Sequence, residues 1–286
     1  ALATFPGLIY SASRVSNDGL VQLLMFAALW LLIRWRQTAQ DRWWLGCAAV
    51  IGLSVLTKSS GLLLLPVAAA LLWLGPSGRR LKLGATAGGI IAAISGWLIA
   101  VRLWVDQTPS IVPNTSALPP ELHLDTSLLD LVGFNPVRLL QHPFGNRLEW
   151  LQQEQGLWEY YFRSAFFGEF FVPPSLTHEG WLILLLGLLL LPVLGLGIYR
   201  SLYSEPDRLA HLWVPLLVLL NIHGLYRVLA PFTPSQDFRY TSLVLLPAVA
   251  LALHGARGLP KALRWTVWTV MAALTGTCAY FVLVLL

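Results

Sequence analysis

Charge is scarce in this chain. Charged residues make up 12% of its 286 residues and hydrophobic ones 56%, about half the charge fraction of an ordinary soluble domain. That shortage excludes a soluble globular fold. Cysteine is scarcer: Cys47 and Cys278 both lie inside apolar stretches. A disulfide framework and cysteine metal spacing are therefore excluded, and the two thiols read as small buried hydrophobes. No internal repeat, heptad or low-complexity tract interrupts the chain, which sets aside solenoids and coiled coils. The pI of about 9.5 comes without a basic patch interleaved with aromatics, so nucleic acid is not an expected partner. The first residues lack the basic n-region and small-residue cleavage site of a signal peptide.

Long apolar runs are present instead. A spanning helix needs about 20 apolar residues, and candidates fall at 17–35, 43–57, 61–75, 83–105, 180–199, 210–229, 239–256 and 265–286. Ala1–Ser13 reads as the end of an earlier apolar helix. The expectation is a piece of a longer protein lacking its N-terminal helices. Segments 43–57 and 61–75 are short and separated by Lys58-Ser59-Ser60-Gly61; they read either as two thin spans or as a re-entrant hairpin.

The few charges are sorted. Eleven of the nineteen Lys/Arg fall in four short gaps: Arg34, Arg36 and Arg42; Arg79, Arg80 and Lys82; Arg200 and Arg208; Arg257, Lys261 and Arg264. Only three of the fourteen acids join them, and the other eleven sit in the alternate gaps. Short cytoplasmic loops collect Lys/Arg in this way, so the four basic gaps are expected inside and residues 106–179 outside. Several of the thirteen Trp, among them Trp35, Trp43, Trp44 and Trp104, stand at segment ends, as an interfacial aromatic belt requires. The fold expected is all-α: a polytopic integral membrane protein of about eight apolar helical segments with one long extracytoplasmic loop. Its parts are N-terminal membrane helices (1–105), the loop with interfacial helices (106–179) and C-terminal membrane helices (180–286). The loop is aromatic-rich, which argues against disorder. Trp158, Tyr161, Phe162, Ala165 and Phe166 recur at helical spacing, the pattern of an amphipathic helix on a membrane surface.

Candidate chemistry gathers on the outer side. Asp18 opens segment 17–35, four residues after Arg14; it reads as a helix cap or as a site carboxylate. Lys58 stands between two apolar segments, either snorkelling to water or facing an anionic partner such as a lipid phosphate. Arg239-Tyr240 opens segment 239–256, as an interface anchor or as a phosphate ligand. Glu169, in Ser164-Ala165-Phe166-Phe167-Gly168-Glu169-Phe170, is a solvated charge or a site carboxylate. The pairs His123/Asp125 and His178/Glu179 are too thin for a metal site. One acid, two or three cations and an aromatic rim suit chemistry on a lipid-linked phosphate: cations would stabilise the leaving phosphate and a carboxylate would take a proton from the acceptor.

Four stretches, in order, resemble the polytopic GT-C glycosyltransferases that use polyprenyl- or dolichyl-phosphate-linked sugars. These are Pro6 through Leu20 with Ser11, Arg14 and Asp18; Gly52-Leu53-x-x-Leu56-Thr57-Lys58-x-x-Gly61; Ser164–Phe171; and Arg239-Tyr240 with Leu246-Pro247. The group is similar to the protein mannosyltransferases and the lipid A aminoarabinose transferases (glycosyltransferase family 39). The resemblance implies sugar transfer from a polyprenyl-phosphate donor to a lipid, glycan or protein acceptor at the extracytoplasmic face of a bacterial inner membrane. Asp18 and Arg14 would be catalytic, and Lys58, Arg239, Tyr240 and Glu169 would bind the lipid phosphate and sugar. No cofactor is implied beyond an open question of a divalent metal. The family's principal acid lies in a first outer loop upstream of these residues, so this stretch alone is expected to be inactive. A transporter or flippase of lipid-linked saccharides is the alternative, and would call for ionisable residues within the spans or broken helices in matching halves. A non-catalytic membrane scaffold is a third reading.

Overall fold

The computed structural model describes residues 5, 6, 8, 9, 17–75, 77–105, 127–141, 156–168, 174–231 and 237–285. These residues are helical, with no strand among them. Asp18–Thr38 forms α1 and Asp41–Thr57 forms α2. A 3-10 turn, Ser59–Leu63, leads into α3, Leu64–Trp73. Arg80–Val105 is α4. Two short helices, α5 (Leu128–Val132) and α6 (Pro136–Gln141), precede α7, Leu157–Phe167. The C-terminal part comprises α8 (Thr177–Tyr203), α9 (Ala210–Leu229), a 3-10 segment Phe238–Val244 running into α10 (Leu245–Arg257), and α11 (Lys261–Leu285).

Among the described residues, each of the eight apolar segments expected from the sequence forms helix. Six of the helical stretches are long and apolar enough to cross a membrane: Asp18–Thr38, Ser77–Leu98, Pro174–Tyr203, Ala210–Leu229, Phe238–Arg257 and Lys261–Val284. The chain is a polytopic all-helical membrane protein. Apolar side chains turned away from the bundle, such as Leu23, Leu189 and Leu225, fit lipid, where a helix satisfies its own backbone groups.

A tight reversal sets the first two helices side by side. Ala39 adopts the left-handed conformation (φ 54°) and its N–H returns to the Trp35 carbonyl at 2.8 Å, a common way to end a helix. Across this turn the Trp35 and Trp44 rings lie 4.7 Å apart, and Trp44 Nε1–H donates to the Leu83 carbonyl at 2.9 Å. Arg36 Nη1 reaches the Leu74 carbonyl at 3.1 Å. The ends of α1 and α3 and the starts of α2 and α4 thus share one end of the bundle, the Arg36 end. At the opposite end, Asn17 Nδ2 donates to the Thr57 carbonyl at 2.9 Å. The α2 helix therefore runs the full length of α1 and α3 returns beside them. Among the described residues α2 and α3 are shorter than the six spanning stretches.

The main core joins both halves of the chain. Met25, Leu29 and Leu32 of α1, Ile51 of α2, Leu64 and Leu71 of α3, Leu216 and Leu219 of α9 and Leu251 of α10 are all buried in one cluster. Burial of each such side chain is worth about 1.5–3 kcal/mol against water, though within lipid the gain is packing rather than dehydration. A second cluster seats α7 on α8 and α11 through Phe166, Phe167, Ile183, Leu184 and Phe281. Gly187 makes that seat: a Cβ there would meet Phe162 and Phe166 at 2.9 Å. The α7 helix is accordingly buried on nearly all sides, from Leu157 to Phe167. The aromatic spacing suggests a helix on the membrane surface with its rings facing lipid or a cavity. In the fold the helix packs on protein: Phe166 and Phe167 lie against α8 and α11, Ser164 and Tyr161 reach the 3-10 segment, and Glu159 turns to Asn135 and Arg138.

Candidate functional site

Two groups of polar side chains lie at the Asp18 end. The first is built by the α1/α2 hairpin. Asn17, the N-cap of α1, has helical backbone angles and makes no side-chain capping bond. Asp18 is the first helical residue, and its Oδ1 accepts from Lys58 Nζ. The carboxylate also sits where the helix dipole favours an anion. Lys58 is presented by a break in the helix. Its backbone is extended (φ −160°, ψ 143°), its N–H still closes on the Ser54 carbonyl at 2.9 Å, and its carbonyl accepts from Gly61 N–H at 3.0 Å. The corner is tight enough that a Cβ on Gly61 would lie 2.6 Å from Ser54 and Val55 atoms. Lys58 and Asp18 remain 30% and 16% exposed, so the pair is reachable from outside the bundle.

The second group surrounds the start of the 3-10 segment. Asp237 Oδ1 accepts from Arg239 N–H at 2.7 Å, and the Arg239 guanidinium Nε lies 4.0 Å from the same oxygen. Arg239 also lies over the Tyr240 ring, 5.1 Å from its centre, and donates to the Tyr240 hydroxyl at 3.3 Å. Tyr240 in turn packs on Tyr226 of α9 at 5.5 Å. Behind Asp237 the α7 helix contributes Ser164, whose Oγ accepts from Phe238 N–H at 2.9 Å. The Tyr161 hydroxyl meets Thr241 Oγ1 at 2.9 Å, and Thr241 meets His223 Nδ1 at 3.3 Å. His223 and Arg227, one turn apart on α9, are both buried, as are Arg163 and Asp237.

Electrostatics in this second group follow from burial. Desolvation raises the Tyr161 hydroxyl, and the nearby Asp237 charge adds to the rise, while the Thr241 hydrogen bond opposes it. Burial pushes the Arg163 guanidinium down to about 10, against support from Tyr160 and Asp237; it stays charged at neutral pH. Burial of ionisable groups is costly unless they are paired or hydrogen-bonded.

A third arrangement, away from these two, fixes the polar loop. Glu159 is buried. Its carboxylate accepts from Asn135 N–H at 2.6 Å, Gly156 N–H at 3.2 Å and Arg138 Nε at 2.8 Å, with Arg138 Nη2 also in contact. It ties the α5–α6 stretch to the start of α7.

The structure brings Asp18 and Lys58 together. Arg239 and Tyr240 sit on a separate segment, whose Leu243 and Val244 pack in the same core cluster as Val21 and Met25 of α1. Arg14 and Glu169 lie outside the described residues, as do His123 and Asp125. Among the described residues no group of three or more His, Cys, Asp or Glu is placed to hold a metal. Sequence reasoning did not single out Glu159, Arg163, His223, Arg227 or Asp237. The spacing of His223 and Arg227, four apart inside an apolar span, was the available signal.

A bundle of long apolar helices, six of them able to cross a membrane, defines the class: a polytopic integral membrane protein. Residues 1–104 match the family model described as dolichyl-phosphate-mannose-protein mannosyltransferase. The matched stretch holds both Asp18 and Lys58. No curated protein and no solved structure matches the chain.

Proposed function

We propose that this chain forms part of an enzyme that moves a sugar from a polyprenyl-phosphate donor to an acceptor hydroxyl at the extracytoplasmic face. The observation that carries the reading is the Asp18–Lys58 pair, held at the rim by the α1/α2 hairpin inside the family-matched stretch. The acceptor oxygen would attack the anomeric carbon as the bond from that carbon to the phosphate oxygen breaks. The bonding pair leaves with the polyprenyl phosphate, and the acceptor proton passes to a carboxylate. Lys58 supplies a cation for the leaving phosphate, and Asp18 holds it in place between turnovers. Arg239, oriented by Asp237 and backed by Tyr240, offers a planar fork for the same phosphate. Arg14 and Glu169 complete the set as site residues. A bacterial inner membrane and a lipid, glycan or protein acceptor complete the proposal.

The test is transfer from a synthetic polyprenyl-phosphate sugar by the full-length protein in liposomes. Lys58→Ala and Arg239→Ala should each lower transfer by about a hundredfold, the range seen when one electrostatic stabiliser is removed. Wild-type rates in both variants would defeat the reading.

One observation favours a second reading. His223, Arg227 and Arg163 are buried within the bundle, where a flippase of lipid-linked saccharides would want charge. Movement of a labelled lipid-linked saccharide across the liposome bilayer, with no transfer to any acceptor, would favour it.

A further inference from the structure

At the Arg36 end, opposite the proposed transfer site, lies a cavity of about 470 Å³ lined by Arg36, Gln37, Asp207, Arg208, Leu209 and His211. Its size falls in the range of small-molecule sites, roughly 300–1,000 Å³. Three separate parts of the chain meet there, and Arg36 joins them. Its Nη1 donates to the Leu74 carbonyl at 3.1 Å and its Nη2 to the Asp207 carbonyl at 3.3 Å. Both acceptors are neutral, so the guanidinium is held in position while keeping its charge, and it has five N–H donors in all. The first turn of α9 begins beside it at Ala210, adding the positive end of a 20-residue helix. Arg208 is already paired with Glu205 at 2.7 Å. Asp207 brings a carboxylate to the lining.

We propose that this cavity seats the headgroup of an aminophospholipid, with its phosphate on Arg36 and His211 and its ammonium beside Asp207. Two observations choose this occupant. The first is level: the same end carries a belt of Arg–aromatic contacts, with Arg42 lying over Trp43 at 5.0 Å, Arg34 over Trp43 at 5.5 Å and Arg80 over Trp73 at 5.3 Å. Such belts mark the depth of lipid headgroups. The second is charge. Arg208 is paired with Glu205 outside the lining, which leaves the Arg36 guanidinium and the Asp207 carboxylate as opposite charges in the same cavity. A zwitterion with a hydrogen-bonding ammonium matches that pattern, and a quaternary ammonium has no N–H to offer a carboxylate.

Native mass spectrometry of the full-length protein, equilibrated in detergent with equimolar phosphatidylethanolamine, phosphatidylcholine and phosphatidylglycerol, reads the preference. Phosphatidylethanolamine should be retained about fivefold over each of the others, a difference of about 1 kcal/mol. Arg36→Gln should abolish that preference, and Arg42→Gln, which alters the belt but not the cavity, should keep it. Because Arg36 also ties the bundle together, Asp207→Asn gives an independent arm. The variant keeps its backbone carbonyl and its fold, and should lose discrimination between ethanolamine and choline headgroups. Equal retention of the three lipids, dominance of phosphatidylglycerol, or an unchanged preference in Asp207→Asn would overturn the proposal. So would displacement of the lipid by millimolar inorganic phosphate or free phosphoethanolamine, which would assign the cavity to a soluble ligand.

Discussion

The Tyr161 hydroxyl lies 2.9 Å from Thr241 Oγ1, a bond between residues 80 positions apart in the chain. It joins α7, in the polar loop, to the segment that carries Arg239. The loop helix and the proposed phosphate ligand are therefore one mechanical unit, and substitutions on α7 should be felt at Arg239 without touching it.

Tyr161→Phe tests that link. Removing the hydroxyl leaves Thr241 its contact with His223, so the loss in stability should be about 1 kcal/mol. Thermal unfolding in detergent measures it. The pH dependence has a definite sign. Burial raises the folded-state Tyr161 hydroxyl above its ordinary value of 10.0, so its contribution is full below that value and fades as pH rises beyond it. The stability gap between wild type and Tyr161→Phe should narrow above about pH 10. A gap that widens there would contradict the burial argument.

Asp18 and Lys58 should behave as a coupled pair. Asp18→Asn and Lys58→Gln are each expected to lower transfer by about tenfold or more, with the double variant no worse than the weaker single one. Asp18→Asn should stay folded, because the first-turn amide keeps the size of the side chain. Simple additivity of the two effects would mean that the ion pair has no role in the reaction.

Glu159→Gln should loosen the polar loop. The variant removes the charge from a buried acceptor of two N–H groups and Arg138, at about 2–3 kcal/mol. Hydrogen exchange at the Asn135 and Gly156 amides should accelerate by about tenfold or more, with exchange in α1 and α2 unchanged. Unaltered protection at those two amides would remove Glu159 as the clasp.

Sidedness is tested by cysteine labelling in intact cells with an impermeant reagent. A cysteine at Leu128 should react and one at Gln37 should not; both positions are exposed. The native Cys47 and Cys278 are buried, so background is low. Labelling at Gln37 from outside would invert the assignment of both ends.

The helices were legible because hydropathy and loop charge are local signals. Segment 17–35 became Asp18–Thr38 and 180–199 became Thr177–Tyr203, with ends extended by interfacial polar residues that a helix tolerates. Lys58 was legible as a cation between two apolar segments, though its carboxylate partner lies 40 residues away. The interior group was not. Asp237, Thr241 and Tyr161 read as ordinary loop and helix-start residues until the fold packs α7 against α9. Glu159 looked like one of many outer-loop acids, since nothing local announces that two turns of chain will wrap its carboxylate.

The extended residue at Lys58 has a consequence for how this chain can vary. In a helix each added residue rotates the downstream chain by about 100°. One residue inserted between Thr57 and Lys58 would swing the ammonium off α1 and toward lipid, while Gly61 leaves no slack against Ser54 to turn it back. The connection at 204–209 carries no such constraint on Asp18 or Lys58. Length variation should thus be tolerated at the second bend and forbidden at the first, and a one-alanine insertion scan across both would map the difference residue by residue.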